Sequence, residues 1–218
     1  MKLRVWDLPT RAFHWSLALL VGAAFVTAKL DAYDWHFRIG YALLALVAFR
    51  LVWGIVGPRY ARFASFVSAP SRALAYLRGA PHPAPGHNPA GAWSVLALLA
   101  LVGAQAVTGL FTSDDVMASG PLYDAVASGT AEWLGRLHRL NEKLILAVVL
   151  LHLAAVTFYG RVKRQPILEA MVTGDAEVAA AAPPARDDWL VRLGALVLLT
   201  GCGLGVWWLV EIWAPTLG

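Results

Sequence analysis

Four histidines sit where an apolar chain has least use for them: His14, His36, His138 and His152. Each lies at the edge of, or inside, a run of apolar residues long enough to cross a bilayer. An ionisable side chain there is costly unless something binds it. His138 and His152 share one segment, Leu137-His138-Arg139 through Leu151-His152-Leu153, and are fourteen residues apart. In an α-helix that is just under four turns, roughly 21 Å of rise, so the two rings share a face. Two imidazoles that far apart cannot ligate one metal ion. They can each fill one axial position on two separate haems stacked across a membrane, if other segments supply the opposite ligands. The alternative is that each histidine packs in a helix interface with its hydrogen bonds satisfied.

Composition identifies the solvent. The chain has 218 residues, 59% hydrophobic and 15% charged, with a mean hydropathy of +0.60, outside the range of ordinary soluble domains. An all-α polytopic membrane protein is expected. The net charge of +4 would suggest nucleic acid in a soluble protein. Here the positions of the charges matter more than their sum, and no nucleic-acid partner is expected. A single cysteine, Cys202, lies within an apolar run, so there is no disulfide framework and no C-x-x-C-H attachment site. Any haem must be held non-covalently. Residues 1–11 are basic, residues 13–26 are apolar, and Val26-Thr27-Ala28 imitates a signal-peptide cleavage site. Cleavage there would remove His14, and the segment is read as an uncleaved first span.

Five apolar segments, residues 13–28, 36–56, 92–111, 138–159 and 189–213, approach the roughly 20 residues that span a hydrocarbon core. Lys2, Arg4 and Arg11 precede the first, Arg59, Arg62, Arg72 and Arg78 follow the second, and Arg161, Lys163, Arg164 and Arg186 follow the fourth. The opposite side carries Lys29, Arg38, Arg136, Arg139 and Lys143 among Asp31, Asp34, Asp114, Asp115, Asp124 and Glu132. The positive-inside rule then makes the N-terminus cytoplasmic and the C-terminus, after five spans, external. On that orientation His14 opens span one from inside and His36 opens span two from outside. Span four runs inward, with His138 near the outer face and His152 deeper. The histidines therefore sort by depth into an inner pair, His14 with His152, and an outer pair, His36 with His138. Four ligands make two bis-imidazole haems, and randomly placed interface histidines would seldom match in depth twice.

The connections fit around this scheme. Residues 79–89 form a loop whose prolines and glycines prohibit a regular element. His82 and His87 within it read as solvated, a metal site made from these two being the lesser alternative. Gly103 and Gly109 in span three either admit a flat macrocycle or serve helix packing, and Gly22 and Gly40 leave the same choice. The outer loop of residues 112–135 can fold over an outer haem, with Asp114 and Asp115 equally readable as solvated charges. Residues 165–188, with an Ala-rich 178–182 and Pro183-Pro184, read as a surface helix followed by a flexible linker. Span five offers no ligand. Trp207, Trp208 and Trp213 form an aromatic belt at its outer end, and the helix is either an extra anchor or a docking surface for a partner subunit or a second copy.

Several segments, taken in order, resemble a known family. They are Val5-Trp6-Asp7-Leu8-Pro9-Thr10-Arg11 with Phe13-His14-Trp15; His36 with Gly40-Tyr41 and Arg50-Leu51-Val52-Trp53-Gly54; Gly86-His87-Asn88-Pro89; Thr108-Gly109; and the two histidines of span four. The resemblance is to the bacterial cytochrome b561 group and the related di-haem cytochrome b subunits of nickel-iron hydrogenases, and it covers residues 5 to 174. It implies a four-helix transmembrane bundle holding two b haems ligated from spans one, two and four, and says little of residues 189–218. The expected organisation is a di-haem transmembrane domain over residues 1–174, a linker over 175–188 and an additional C-terminal transmembrane helix over 189–218. A bacterial cytoplasmic membrane fits the family.

Two haems with both axial positions filled by protein have no open site for oxygen, so electron transfer is their natural use. With irons about 20 Å apart along one helix, the macrocycle edges come much closer, and an electron crosses most of the bilayer in two steps. Arg38, Arg136 and Arg139 outside, and Arg11, Lys163 and Arg164 inside, are either partners of haem propionates or plain topology-setting charge. The resemblance implies a carrier that exchanges electrons with the quinone pool, and a periplasmic redox protein such as a c-type cytochrome is the expected partner; membrane lipid surrounds the spans, and a homodimer is a further expected association. A second reading, a superoxide:quinone oxidoreductase at the outer face, is favoured by the basic cluster at Arg136 and Arg139 and disfavoured by the acid-rich outer loops. A third is a haem-bearing membrane anchor subunit of a hydrogenase or dehydrogenase complex. A haem-free transporter working through histidine protonation is a fourth.

Overall fold

The computed structural model describes residues 1–82, 84–113, 118–178 and 181–214. Asp114 and Asp115 of the acidic outer loop lie outside the described residues, as do Pro83, Ala179, Ala180 and the last four residues. The elements run β1 (Lys2–Arg4), α1 (Leu8–Lys29), α2 (Tyr33–Val56), α3 (Pro70–Leu77), α4 (Pro89–Gly109), α5 (Ser128–Arg161), α6 (Ile167–Thr173), β2 (Asp175–Glu177) and α7 (Trp189–Trp207). A π-helical stretch, Trp208–Trp213, continues α7. Among the described residues five helices, α1, α2, α4, α5 and α7 with its extension, are long and apolar enough to cross a membrane. Leu19, Ile55, Leu151 and Val197 are 73, 71, 68 and 65% exposed, surfaces that suit lipid and not water. Helices satisfy their own backbone groups, as a bilayer demands. The protein is a polytopic helical membrane protein.

Helices α1 and α4 start where a side chain takes up a free N–H. Asp7 caps α1: its carboxylate accepts from the Thr10 N–H at 2.9 Å and the Thr10 hydroxyl at 2.8 Å, which begins the helix earlier than hydropathy alone places it. Asn88 caps α4 through the Gly91 N–H at 2.7 Å, with Pro89 at the first helical position. Helix α5 begins ten residues before the expected span, at Ser128 in place of 138. Its added turns carry Glu132 and Arg136 beside buried Ala131 and Gly135, a helical surface too polar for a hydropathy reading to register.

The chain forms two compact units. One comprises Met1–His14, Arg50–Leu98 and Val148–Leu196, with a core of Leu3, Val5, Trp6, Tyr60, Ala170, Val178 and Ala185. There β1 pairs antiparallel with β2, Leu3 opposite Ala176. Gly174, at φ 91°, turns α6 into β2, and its carbonyl accepts from the Val5 and Trp6 N–H groups at 2.9 and 3.0 Å. A Cβ at this position would lie 2.6 Å from the Trp6 carbonyl oxygen, so only glycine fits. The other unit comprises Trp15–Phe49, Leu99–Ala147 and Val197–Gly218. Among its described residues, Leu110, Leu122, Val210 and Ala214 pack together with Tyr41, Leu44 and Phe111, which builds the end of the fifth span into this unit. Asn141 joins α5 to α4 by donating to the Leu101 carbonyl at 2.7 Å and the Gln105 side-chain oxygen at 2.8 Å.

The segment expected to be a flexible linker is tied to the N-terminus. The Ala185 N–H donates to the Arg4 carbonyl at 2.7 Å, and the Tyr60 hydroxyl donates to the Pro183 carbonyl at 2.8 Å. Asp187 accepts from the Arg4 guanidinium at 2.8 Å and the Leu8 N–H at 3.0 Å. Proline and alanine content suggests freedom; long-range pairing between the basic N-terminus and Asp187 removes it. Burial raises the pKa of the Asp187 carboxyl, but hydrogen bonds from Arg192, Leu8 and Arg4 and the charge of Arg192 outweigh it and hold the group below its ordinary value. A depressed carboxyl stabilises the fold above its unfolded pKa, and that contribution is lost as pH falls through the folded value. Limited proteolysis of residues 175–188 should therefore be slow at neutral pH and accelerate on acidification below the ordinary carboxylate range. Asp187→Asn is expected to open the segment by about 1.5 kcal/mol, roughly tenfold in cleavage rate, already at neutral pH; unchanged cleavage would refute the tether.

Candidate functional site

Each unit brings together one pair of the four histidines. In the second unit His36, in the first turn of α2, and His138 of α5 have ring centroids 6.4 Å apart. In the first unit His14 of α1 and His152 of α5 also have ring centroids 6.4 Å apart. With a metal–imidazole bond of about 2 Å on each side and each ring centre ~1 Å behind its nitrogen, two imidazoles on one metal have centroids roughly 6 Å apart. Both pairs stand at that spacing.

Hydrogen bonds at the second pair set the tautomers. His36 Nδ1 lies 3.0 Å from the Ala24 carbonyl oxygen. A carbonyl only accepts, so Nδ1 carries the proton and Nε2 keeps its lone pair. His138 Nδ1 lies 3.1 Å from the Thr108 hydroxyl, which donates to the Ala104 carbonyl at 2.7 Å, and the ring also bonds the Gln105 backbone. It too holds its proton on Nδ1. Donation of the second ring N–H to a carbonyl or similar acceptor is the usual arrangement of a metal-ligating histidine. A cavity of about 380 Å³ adjoins the pair, lined by His36, Gly40, Tyr41, Gln105, Gly109 and His138 among others.

The glycines separate by role. A Cβ on Gly109 would lie 3.1 Å from His138 Cε1, so this position must be bare for the ring to sit as it does. A Cβ on Gly103 would meet only Val47 Cγ1 at 3.4 Å, ordinary packing, and at Gly22 and Gly40 nothing lies within 4 Å. Of the basic candidates, Arg139 lines the 380 Å³ cavity and shares a second, polar cavity of about 210 Å³ with Arg136, Tyr123 and Glu132. Arg38 instead lies over the Trp35 ring, Lys163 over the Phe158 ring, and Arg11 donates to the Val172 carbonyl.

The first unit positions its pair from a polar frame. Asp7 precedes His14 by seven residues, two helical turns, and so lies on the same side of α1. Its carboxylate is fully buried and also accepts from Trp53 Nε1 at 3.2 Å, linking α1 to α2. Arg50, one turn before Trp53, is 2% exposed, with its guanidinium 4.7 Å from the centre of the Phe63 ring. His87 does not stand free in the loop as expected. Its ring is wedged 4.6 Å from Trp6 and 4.3 Å from Phe66. Burial, then the charges of Arg50 and His14, push its pKa down to about 3, so it is neutral. His82 is exposed and touches Tyr76 edge-on. Reading the loop as solvated hid His87. The signal available for Arg50 was a charge deep inside an apolar run.

The donor sets are pairs, not clusters. Among the described residues no group of three or more His, Cys, Asp or Glu side chains could hold a bare metal ion. A metal held by either pair would have to bring its other ligands with it, as the iron of a haem does. Two imidazole pairs in an apolar helical frame are donor sets that would fit a haem. The family model for prokaryotic cytochrome b561 matches residues 5–174, and the chain belongs to that family. It is thus a membrane b-type cytochrome of electron transfer. No curated protein and no solved structure matches it.

Glycine roles can be separated by experiment. Gly109→Ala should push the His138 ring by a few tenths of an ångström and change the g-values of a ferric low-spin haem in the EPR spectrum, while Gly103→Ala should leave the spectrum as in wild type. Equal effects of the two would show that His138 is not held against Gly109.

Proposed function

We propose that the protein holds two b haems, His14 and His152 as axial ligands of the inner and His36 and His138 of the outer. It carries electrons across a bacterial cytoplasmic membrane between the quinone pool and a periplasmic redox partner such as a c-type cytochrome. The supporting observation is the equal 6.4 Å spacing of both imidazole pairs, the distance two rings take on one metal. When bound, each haem supplies a one-electron iron couple whose potential the protein tunes. His36 and His138, locked with the proton on Nδ1, present Nε2 as ligand. The Ala24 and Gln105 backbone groups hold those rings in orientation without a charge of their own. Filling every axial position with imidazole leaves no coordination site for a substrate, which suits electron passage over chemistry at the metal. The basic residues Lys2, Arg4, Arg11, Arg59, Arg62, Arg72 and Arg78 support a cytoplasmic N-terminus, and five spans then put the C-terminus in the periplasm.

One observation favours a second reading, oxidation of superoxide at the outer face with the electron passed to quinone. Arg136 and Arg139 share the polar 210 Å³ cavity, and Arg139, Ser113 and Gly135 also line the cavity beside His36 and His138. Quinol reduction of the purified protein, compared with reduction by superoxide, separates the two.

The ligand assignment is tested by a reduced-minus-oxidised spectrum with pyridine haemochrome quantification. Wild type should contain two b haems per chain. His152→Ala should lose one while the other keeps its spectrum, and His36→Ala should lose the complementary one. Two intact haems in His152→Ala would refute the pairing.

A further inference from the structure

Among the side-chain polar atoms of the first unit that are shut off from solvent without a hydrogen-bond partner among the described residues are Nη1 of Arg50 and Nδ1 of His87. A buried donor left unpaired costs about 1–3 kcal/mol, more when charged, so the two mark a site with no acceptor among the described residues. The charge of Arg50 acts on the His87 ring, and a run of ring contacts connects the two. The Arg50 guanidinium covers the Phe63 ring, Phe63 and Phe66 touch at 5.9 Å, and Phe66 lies 4.3 Å from the His87 ring. Gly54 makes room for this: any Cβ there would fall inside the Phe63 ring. The nearest acid that acts on Arg50 is Asp7, but its two oxygens already accept from Thr10 and Trp53, and among the described residues no ion pair joins it to Arg50. His87 also lies within electrostatic reach of His14, one of the first unit's two facing imidazoles.

We propose that Arg50 and His87 form the carboxylate-binding pocket of the inner haem site, Arg50 Nη1–H and His87 Nδ1–H donating to a haem propionate. The proposal rests on His14 and His152 ligating that haem. A propionate supplies what both groups lack: an anionic acceptor for two donors and a counter-charge for a guanidinium that is almost wholly out of water. Trp6 and Phe66 both pack on the His87 ring, so contacts within the chain already hold it in place. Arg50 and His87 are positioning residues, setting the haem's tilt and potential without touching the iron.

The test is a spectroelectrochemical titration of the purified holoprotein, wild type beside Arg50→Gln, His87→Phe and His152→Ala. Removing the Arg50 charge favours the ferric form, so one haem should titrate lower by about tenfold in its reduced-to-oxidised ratio, 59 mV for one electron. His87→Phe keeps a ring between Trp6 and Phe66 and removes only the donor, so it answers the question even if Arg50→Gln does not fold. It should move the same haem by less and shift the infrared carboxylate bands of 13C-labelled propionates. The haem that moves should be the one missing from His152→Ala. A shift of the other haem, of both equally or of neither overturns the propionate assignment. Retention of two haems in His152→Ala overturns the ligand pairing itself, and the proposal with it.

Discussion

A neutral imidazole carries one N–H and one lone pair, and within an apolar span neither can be left to water. At His36 the Ala24 carbonyl takes the proton; at His138 the Gln105 backbone and the Thr108 hydroxyl do. Much of the local architecture follows. For a residue late in α1 to serve one early in α2, the chain must reverse tightly, and it does so through Asp31 at φ 52° with the Ala32 N–H donating to the Thr27 carbonyl at 2.9 Å. For α4 to serve α5, the two helices must be locked in register, which Asn141 does with two bonds one turn beyond His138. The lone pairs are left as the free chemistry of the site.

The first unit meets a related demand with charge. Burial pushes the pKa of the Asp7 carboxyl up, and the Thr10 and Trp53 hydrogen bonds pull only part of the way back. A helix cap contributes about 1–2 kcal/mol, whereas an ion out of water costs several. On stability alone a buried Asp7 beside a buried Arg50 is a poor bargain, and apolar residues of similar volume would serve at least as well. What the pair provides is geometry. Asp7 fixes where α1 begins and therefore the phase of His14, and through the Trp53 indole it fixes the same phase against α2.

The parts that were legible in the sequence are those carried by short-range pattern. The five spans were visible as apolar runs, and the four histidines as ionisable residues placed within or at their ends. The hidden parts depend on partners far away in the chain. His87 lies in a loop of prolines and glycines that looks solvated, yet Trp6, 81 residues earlier, and Phe66 pack on its ring. The linker looked free because its anchor, Arg4, is more than 180 residues away from Asp187. The first turns of α5 were obscured for the opposite reason, since Glu132 and Arg136 made a helical surface resemble a loop.

Helix α5 carries one histidine of each pair, and that imposes a constraint on its sequence. Fourteen residues advance a helix by almost four whole turns, so His138 and His152 emerge within roughly 40° of each other. One residue more or less between them would turn one ring by about 100° relative to the other, leaving only one of them facing its partner. Both pairs nevertheless have the same 6.4 Å separation, although the opposing rings come from different helices, α1 for His152 and α2 for His138. Apolar packing alone tolerates small rotations, since a leucine-rich surface fits many phases about equally well. The polar groups beside His138, Asn141 and Thr108, have directional partners between α4 and α5 and do not, and Asp7 with Trp53 likewise fixes α1 against α2. For α5, Asn141 and Thr108, rather than the aliphatic bulk between Leu144 and Leu151, define the phase in which His138 meets His36.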